Sequence, residues 1–411
     1  MKHDVGLTAL IVNYNTGSYA KSCVESLQRE WAREGRDPAK LKIHLIDNAS
    51  PQPQEEWLVQ IEALGVDVLR SEDNCGYAEG LNRLYARSQG EPGDVVAFLN
   101  PDLHFLPGTI GTLMDYVKDH PECGVVDANA CIDALGTFHL PRNLLPTPIE
   151  HWRMLLTHLH PFFGKLYSKY RLKKGLVWWT SKEPVITDML SGCCLFLRRE
   201  VVDEMGRPMD PAYPLYFEDT DLFRTLNKMG YTVVHHTQAP ILHHWSRSAL
   251  IGNPIDDEPT KKAEISKGIY YRKFYGPLSR AFMRIIDLVA YKWPKDKIGR
   301  PTEDLVDLGE WEKPLRIELP RKCRYLIEFA IQPNFVICCG AFGEGDVWES
   351  PESSWEWLFP IRYFARAIDL DTMEVIGAWS FVRAGMGRQH AMTYDEVDQI
   401  GDQLMSRMRS A

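Results

Sequence analysis

The sequence has no run approaching the ~18 consecutive apolar residues that a membrane-crossing helix requires, which excludes an integral helical membrane protein. Its opening, MKHDVGLTALIVNYN, carries no long apolar stretch ahead of a small-residue cleavage site, so no secretory signal is expected. Nine cysteines, an odd number, include the adjacent pairs Cys193-Cys194 and Cys338-Cys339 but no CxxC spacing. That pattern argues against a disulfide framework or zinc ribbon and predicts reduced, mostly buried thiols in a cytosolic compartment. No GxGxxG follows the first apolar run and no GxxxxGK(S/T) occurs anywhere, which removes the usual dinucleotide-binding and P-loop readings.

What the chain does have is size and an uneven charge. Its 411 residues, 45% hydrophobic and 25% charged, suffice for a large core and for two or three domains. The net charge of −9 is an average over unlike parts. Residues 151–182 hold seven Lys or Arg and no acid, while 261–300 hold eleven against Glu264, Asp287 and Asp296. With +7 and +8 in those windows, the other 339 residues carry −24. Both windows interleave their bases with aromatic and aliphatic residues, over His151–Trp179 and Ile269–Trp293. Such segments suit a lipid headgroup interface. The alternative is a pair of ordinary amphipathic helices packed on the core or on another subunit, as in a homo-oligomer. Nucleic acid is disfavoured as a partner by the acidic remainder.

The first 130 residues alternate strand and helix. Leu7–Asn15 reads as a buried strand, followed by a helix from about Ser18 with Ala20, Cys23, Leu27 and Trp31 on one face. Leu41–Ile46 is a second strand ending in Asp47-Asn48-Ala49-Ser50-Pro51. A helix over about Gln54–Leu64, a strand at Val66–Leu69, a turn at Asp73–Gly76, a helix to about Ser88 and a strand at Asp94–Leu99 follow. This spacing predicts an α/β fold with a mostly parallel sheet flanked by helices. Ligands of such sheets sit beyond the carboxyl ends of the strands. Asn13-Tyr14-Asn15, Asp47-Asn48 and Asn100-Pro101-Asp102 occupy those ends and are site candidates on position alone.

The segments ALIVNYN, LIDNAS, NCGYAEGLN (Asn74–Asn82) and FLNPD (Phe98–Asp102), then LSGCCLFLRRE, YFEDTDLFRTLNKMGY and ILHHWSRS, resemble the family 2 glycosyltransferases in order over about 240 residues. The nearest branch resembles the rhamnosyltransferase-type enzymes of bacterial polysaccharide assembly. The resemblance implies the GT-A (Rossmann-like) fold. It also implies an inverting, metal-dependent transfer from a nucleoside-diphosphate sugar to a lipid-linked or polysaccharide acceptor in cell-envelope or exopolysaccharide synthesis. A cytoplasmic protein, peripheral on the anionic inner face of the plasma membrane, would follow.

Carried over by motif, Asp102 stands where the family's DXD metal motif belongs, with Asn100 in place of the first Asp. One carboxylate plus phosphate oxygens suits Mg²⁺ or Mn²⁺. His243 or His244 would add a further metal or diphosphate contact, with the spacing to Ser248 favouring His243, and Arg247 would be a diphosphate ligand. Asp219 matches the position of the base that takes the acceptor's proton, and Glu218 and Asp221 would orient the loop or touch the acceptor. The bland alternative is that these acids only favour a helix N-terminus. Asp47 would bind the base or ribose, with Asn13, Tyr14 and Asn15 around it. Asn74, Gly76 and Asn82 would form a second nucleotide-facing loop, and Gly192 would let the chain pass close to the donor sugar. Asn48 and Ser50 read as turn formers. A sugar-1-phosphate nucleotidyltransferase is disfavoured, because VNYN is not a Gly-rich triphosphate loop. A non-catalytic scaffold is disfavoured by the intact Asp102, Asp219 and His243.

The expected organisation is a transferase domain over 1–255 with a basic helical insertion at about 143–182, a basic amphipathic connector over 256–300, and a small β-rich (α+β) accessory domain over 301–411. In the last, RKCRYLIEFAI, FVICCGAF and the two halves of ARAIDLDTMEVIGAWSFV read as strands, and Thr393 to Met408 as a closing helix. The Trp-rich Asp346–Phe359 could stack on sugars, or be core.

Overall fold

The computed structural model describes residues 5–244, 258–292 and 300–385. In chain order the first elements are β1 (Leu7–Asn13), α1 (Gly17–Arg33), β2 (Leu41–Asp47), α2 (Glu55–Ala63), β3 (Asp67–Arg70), α3 (Tyr77–Arg87), β4 (Val95–Leu99), β5 (Leu103–Phe105), α4 (Thr109–Asp119) and β6 (Cys123–Cys131). Then come β7 (Phe138–His139), α5 (Pro148–Leu159), α6 (Pro161–Thr180), β8 (Val185–Thr187), β9 (Cys194–Arg198), α7 (Arg199–Met205), α8 (Glu218–Met229) and β10 (Thr232–His243). The rest are α9 (Glu258–Lys292), β11 (Val306–Trp311), β12 (Arg316–Ala330), β13 (Cys339–Glu349), α10 (Glu352–Trp355), β14 (Arg362–Asp369) and β15 (Val375–Arg383). The first seven elements fall within one or two residues of the positions the sequence predicts.

Two compact units share these elements: one from 5–129, 182–244 and 258–280, the other from 130–181, 281–292 and 300–385. In the first unit the strand order is β3-β2-β1-β4-β9-β6, with β1 parallel to both β2 and β4 and β2 parallel to β3. Every residue of β1 and β4 is buried, as their apolar runs require, because helices cover both faces of a parallel sheet. The chain turns one way from β1 to β2 and β3 and the other way to β4, so the crevice above β1 and β4 is the switch point of the sheet. β9 then enters antiparallel beside β4, and β10 runs antiparallel to β5 and β8.

The second unit is built on the antiparallel ladder β15-β14-β12-β13-β7, with β11 parallel to β15 at its edge. Helices α5 and α6 belong to it, so the expected insertion groups with the C-terminal strands. The stretch FVIC is irregular, with Phe335 at φ +49°, and the strand expected there starts only at Cys339. Trp348, Trp355 and Trp357 are buried. Their faces are core, which corrects the sugar-stacking alternative. The helix expected from Thr393 lies outside the described residues. None of the nine cysteines forms a disulfide.

Candidate active site

Two antiparallel pairings bring distant segments to the carboxyl end of β4. Leu99 pairs with Cys194, and the Asn100 amide donates to the Cys193 carbonyl at 2.8 Å, which lays Ser191-Gly192-Cys193 beside Asn100–Asp102. His243 pairs with Leu103, and the His244 amide donates to the Asp102 carbonyl at 3.0 Å. The buried carboxylate of Asp102 thereby meets His243 Nε2 at 3.2 Å. Burial pushes the Asp102 carboxyl up, but the His243 charge outweighs it and holds the group below the ordinary aspartate value. Burial lowers His243 in turn, and the Asp102 carboxylate more than reverses this, raising it to about 10. The His244 ring lies instead against Tyr19, centroids 5.4 Å apart.

The donor set in this corner, one carboxylate and one imidazole, fits a hard divalent cation whose remaining ligands come from phosphate oxygens. His243 Nδ1 is buried without a hydrogen-bond partner among the described residues. No group of three or more metal-ligating side chains gathers among the described residues, so the protein offers part of a coordination sphere rather than a cage.

Across the crevice, α8 begins after two consecutive non-glycine residues in the left-handed region, Tyr216 (φ +62°) and Phe217 (φ +70°). Phe217 is fixed against Tyr270, ring centroids 5.2 Å apart. The turn delivers Glu218 and Asp219 to the first positions of the helix. Glu218 is buried with Oε2 unpartnered among the described residues; burial, and then the Asp219 charge, push its carboxyl up to about 8. Burial also raises Asp219. Its Oδ1 accepts from the Thr220 amide (2.6 Å) and hydroxyl (3.2 Å), while Oδ2 faces Gly192, whose φ is +77°. A Cβ on Gly192 would stand 2.7 Å from that oxygen.

Residues 8–206 match the model of glycosyl transferase family 2. Over 255 residues, 59% of this chain and 77% of the relative, the sequence is 29% identical to the N-acetylglucosaminyl-diphospho-decaprenol L-rhamnosyltransferase of Mycobacterium tuberculosis. The matched region is a family 2 glycosyltransferase domain, and the protein is a glycosyltransferase. Similar solved structures include the mannosyltransferase PcManGT from Pyrobaculum calidifontis in complex with GDP-Man and Mn²⁺, at 15% identity over 71% of this chain and 79% of that one, TM-score 0.38. Another is S. aureus TarS, at 10% identity over 95% and 79%, TM-score 0.41. At TM-scores this low, the GT-A fold rests on the family match and on the strand order itself. Asp47 and Asp102 lie inside the matched range; Asp219 and His243 lie beyond it and reach the crevice on α8 and β10.

In the transferase, Asn13 and Asp47 are partners across β1 and β2, and Asn13 Nδ2 donates to Asp47 Oδ1 at 2.7 Å. Ser50 donates to the same oxygen at 2.6 Å and accepts from the Asn15 amide at 2.8 Å, and Asn15 Oδ1 takes the Gln52 amide at 3.1 Å. These bonds hold a half-buried Asp47 at the carboxyl end of β2, with the half-buried Tyr14 between Asn13 and Asn15. Asn74 Oδ1 accepts from the Gly76 amide (3.0 Å) and from Asn48 (3.1 Å), so Asn48 joins two loops instead of merely shaping its own turn.

The expectation for Asn82 changes, and that for Asp221 narrows to its loop-orienting alternative. Asn82 is not a ligand-facing group: its amide grips both polar atoms of the Met209 main chain, at 3.0 and 3.1 Å, and fastens α3 to the loop before α8. Gly76 takes a φ of +81° at the start of α3, where a Cβ would lie 3.7 Å from the Pro214 carbonyl oxygen. Asp221 is turned away from Asp219, taking a hydrogen bond from Tyr213 (2.8 Å) and an ion pair from Lys273 (2.6 Å), which also holds Asp210 (2.8 Å). The first half of α9 is therefore a brace for α8 and not a free connector. Arg247 and Ser248 lie outside the described residues.

Sequence reasoning missed two supports. Asp127, inside the apolar run of β6, pairs with buried His235 at 2.7 Å and accepts from the amide and hydroxyl of Ser191, both at 3.2 Å. It pins the turn that carries Gly192; an aspartate within VVDANA was the available signal. Tyr77, directly after Gly76, has its hydroxyl buried and unpartnered among the described residues. Burial first, then the charges of Glu218, Asp219, Cys193 and Asp102, raise its pKa, so this hydroxyl lies where both halves of the site converge.

Proposed function

We propose that this glycosyltransferase binds a nucleoside-diphosphate sugar across the carboxyl ends of β1, β2 and β4 and transfers the sugar, with inversion, to a lipid-linked or polysaccharide acceptor of the bacterial envelope. The observation that carries the reading is the free Oδ2 of Asp219, aimed at the glycine of a turn that runs beside Asp102 and His243. The relative's name, which gives a rhamnosyl group and a decaprenol diphosphate-linked acceptor, supports the acceptor class.

Asp47 and the Asn13–Asn15 segment hold the nucleoside, and the diphosphate points toward Asp102 and His243. A divalent cation held by Asp102 and His243 would offset the charge that builds on the leaving diphosphate. The acceptor oxygen bonds to the anomeric carbon from the face opposite the diphosphate. The bond from that carbon to the diphosphate oxygen breaks, its electron pair leaving with the nucleoside diphosphate. The hydroxyl proton passes to Asp219 Oδ2, while Thr220 keeps Oδ1 in place.

A thermal-shift panel of UDP, GDP and dTDP sugars, with and without Mn²⁺, tests the reading. One nucleotide class should stabilise the protein, more so with Mn²⁺, by mass action on the folded state. No shift with any nucleotide sugar overturns it.

A further inference from the structure

The second unit presents apolar helix faces that the rest of that unit leaves open. Beyond Pro277, α9 buries Met283 and Ile286, 2% and 6% exposed, yet presents Phe282, Ile285 and Leu288, which are 47%, 60% and 61% exposed. A helix on a water-facing surface needs one apolar stripe, and this one has two. Trp152 of α5, itself exposed, meets Phe282 with ring centroids 6.1 Å apart, so the two helices share one apolar surface. On α6, exposed Phe162, Leu166, Lys169, Lys173 and Val177 follow one another at helical spacing. Arg284 adds an exposed cation on α9.

Charge decides what covers this surface. A symmetric dimer would press the same face against itself, and exposed cations such as Lys169, Lys173 and Arg284 would meet their own copies. An anionic bilayer complements both features: headgroup phosphates meet the lysines, and Trp, Phe, Ile and Leu enter the acyl boundary. Among the described residues no helix is long and apolar enough to cross, so the mode is lying on the surface.

We infer that these helices of the second unit dock on an anionic membrane surface, with Phe282, Ile285 and Trp152 inserted, Arg284 beside them at the headgroups, and α6 contributing Lys169 and Lys173. The inference extends the reading of a lipid-linked acceptor but is carried by these helices alone.

Flotation of the full chain with vesicles of phosphatidylcholine and phosphatidylglycerol, against phosphatidylcholine alone, tests it. Binding is expected to the mixed vesicles and should fall as salt rises. Lys169→Gln with Lys173→Gln should weaken it about 25-fold, about fivefold for each lost cation. Phe282→Glu with Ile285→Glu should abolish it, while circular dichroism and turnover of a water-soluble acceptor stay unchanged. Three outcomes overturn the inference: no binding to mixed vesicles, binding that both double variants leave intact, or self-association in solution that Phe282→Glu with Ile285→Glu removes. Loss of soluble-acceptor turnover in Asp219→Asn, with vesicle binding retained, would separate the active-site reading from this one.

Discussion

Gly192 and Asp219 are in contact through an atom that is not there: the space where residue 192 would carry a Cβ is occupied by the outer carboxylate oxygen of Asp219. The contact joins two parts of the chain, the turn before β9 and the start of α8. It also fixes which Asp219 oxygen is open, because Thr220 holds the other.

Gly192→Ala therefore meets two obstacles, a left-handed backbone and a collision with the carboxylate. It should destabilise the fold by about 1–3 kcal/mol. It should also lower kcat at least tenfold, because small misplacements at a reacting group are costly. Urea unfolding and steady-state kinetics measure the two effects; an alanine variant with unchanged kcat would mean the contact does not position Asp219.

Asp219→Asn keeps the bond from Thr220 but removes the proton acceptor. Turnover should fall by about 10²–10⁴-fold, the range general base catalysis supplies, with donor affinity within about threefold of the parent. Calorimetric titration with the nucleotide sugar, beside a turnover assay, checks both.

The pH dependence follows from two carboxyls whose ionisation is raised, Glu218 to about 8 and Asp219 above its ordinary value. The base must be ionised, so kcat/KM should rise with pH at values higher than an ordinary aspartate would give. Glu218, raised to about 8, is still neutral while Asp219 ionises, so Glu218→Gln should leave that rise in place. For stability the sign is the reverse. A raised carboxyl pKa contributes fully below the ordinary glutamate value of 4.5 and is lost as pH rises through about 8. Stability of Glu218→Gln should be flatter than the parent's across that window, by chemical denaturation at several pH values.

Lys273→Met strips Asp221 and Asp210 of their shared cation. Lys273 is 40% exposed, so the cost belongs at the low end for a broken pair, about 1–2 kcal/mol. Adding Asp221→Asn should recover part of it, and a double-mutant cycle by urea denaturation reads the coupling.

Asp102→Asn takes away the carboxylate of the cation corner. The gain in nucleotide-sugar affinity on adding Mn²⁺, measured by calorimetry against EDTA-treated protein, should vanish, while affinity without the metal changes little. A persistent Mn²⁺ gain would place the cation elsewhere.

The parallel half of the transferase was legible because its information is local. Leu7–Asn13 and Val95–Leu99 are continuous apolar runs, α1 repeats at helical spacing, and polar residues stand where those runs stop, which is how Asn13, Asp47 and Asp102 came into view. The supports were hidden because each depends on a partner far along the chain. Asp127 is explained only by His235 and Ser191, Asp221 only by Lys273, and nothing in the periodicity of Asn82 signals that Met209 occupies its amide. The tryptophans of 346–359 show the same limit from the other side: composition alone does not distinguish a ring that stacks on a ligand from one that fills a core.

The two left-handed residues before α8 set local strain against a fixed helix start. Tyr216 and Phe217 each hold a conformation that costs a side-chain-bearing residue about 1–2 kcal/mol. Glycine at either place would relieve that cost and loosen the presentation of the acids that follow. Glycine at 217 would also give up the ring that packs on Tyr270, so the left-handed pair exchanges local strain for a fixed entry into α8.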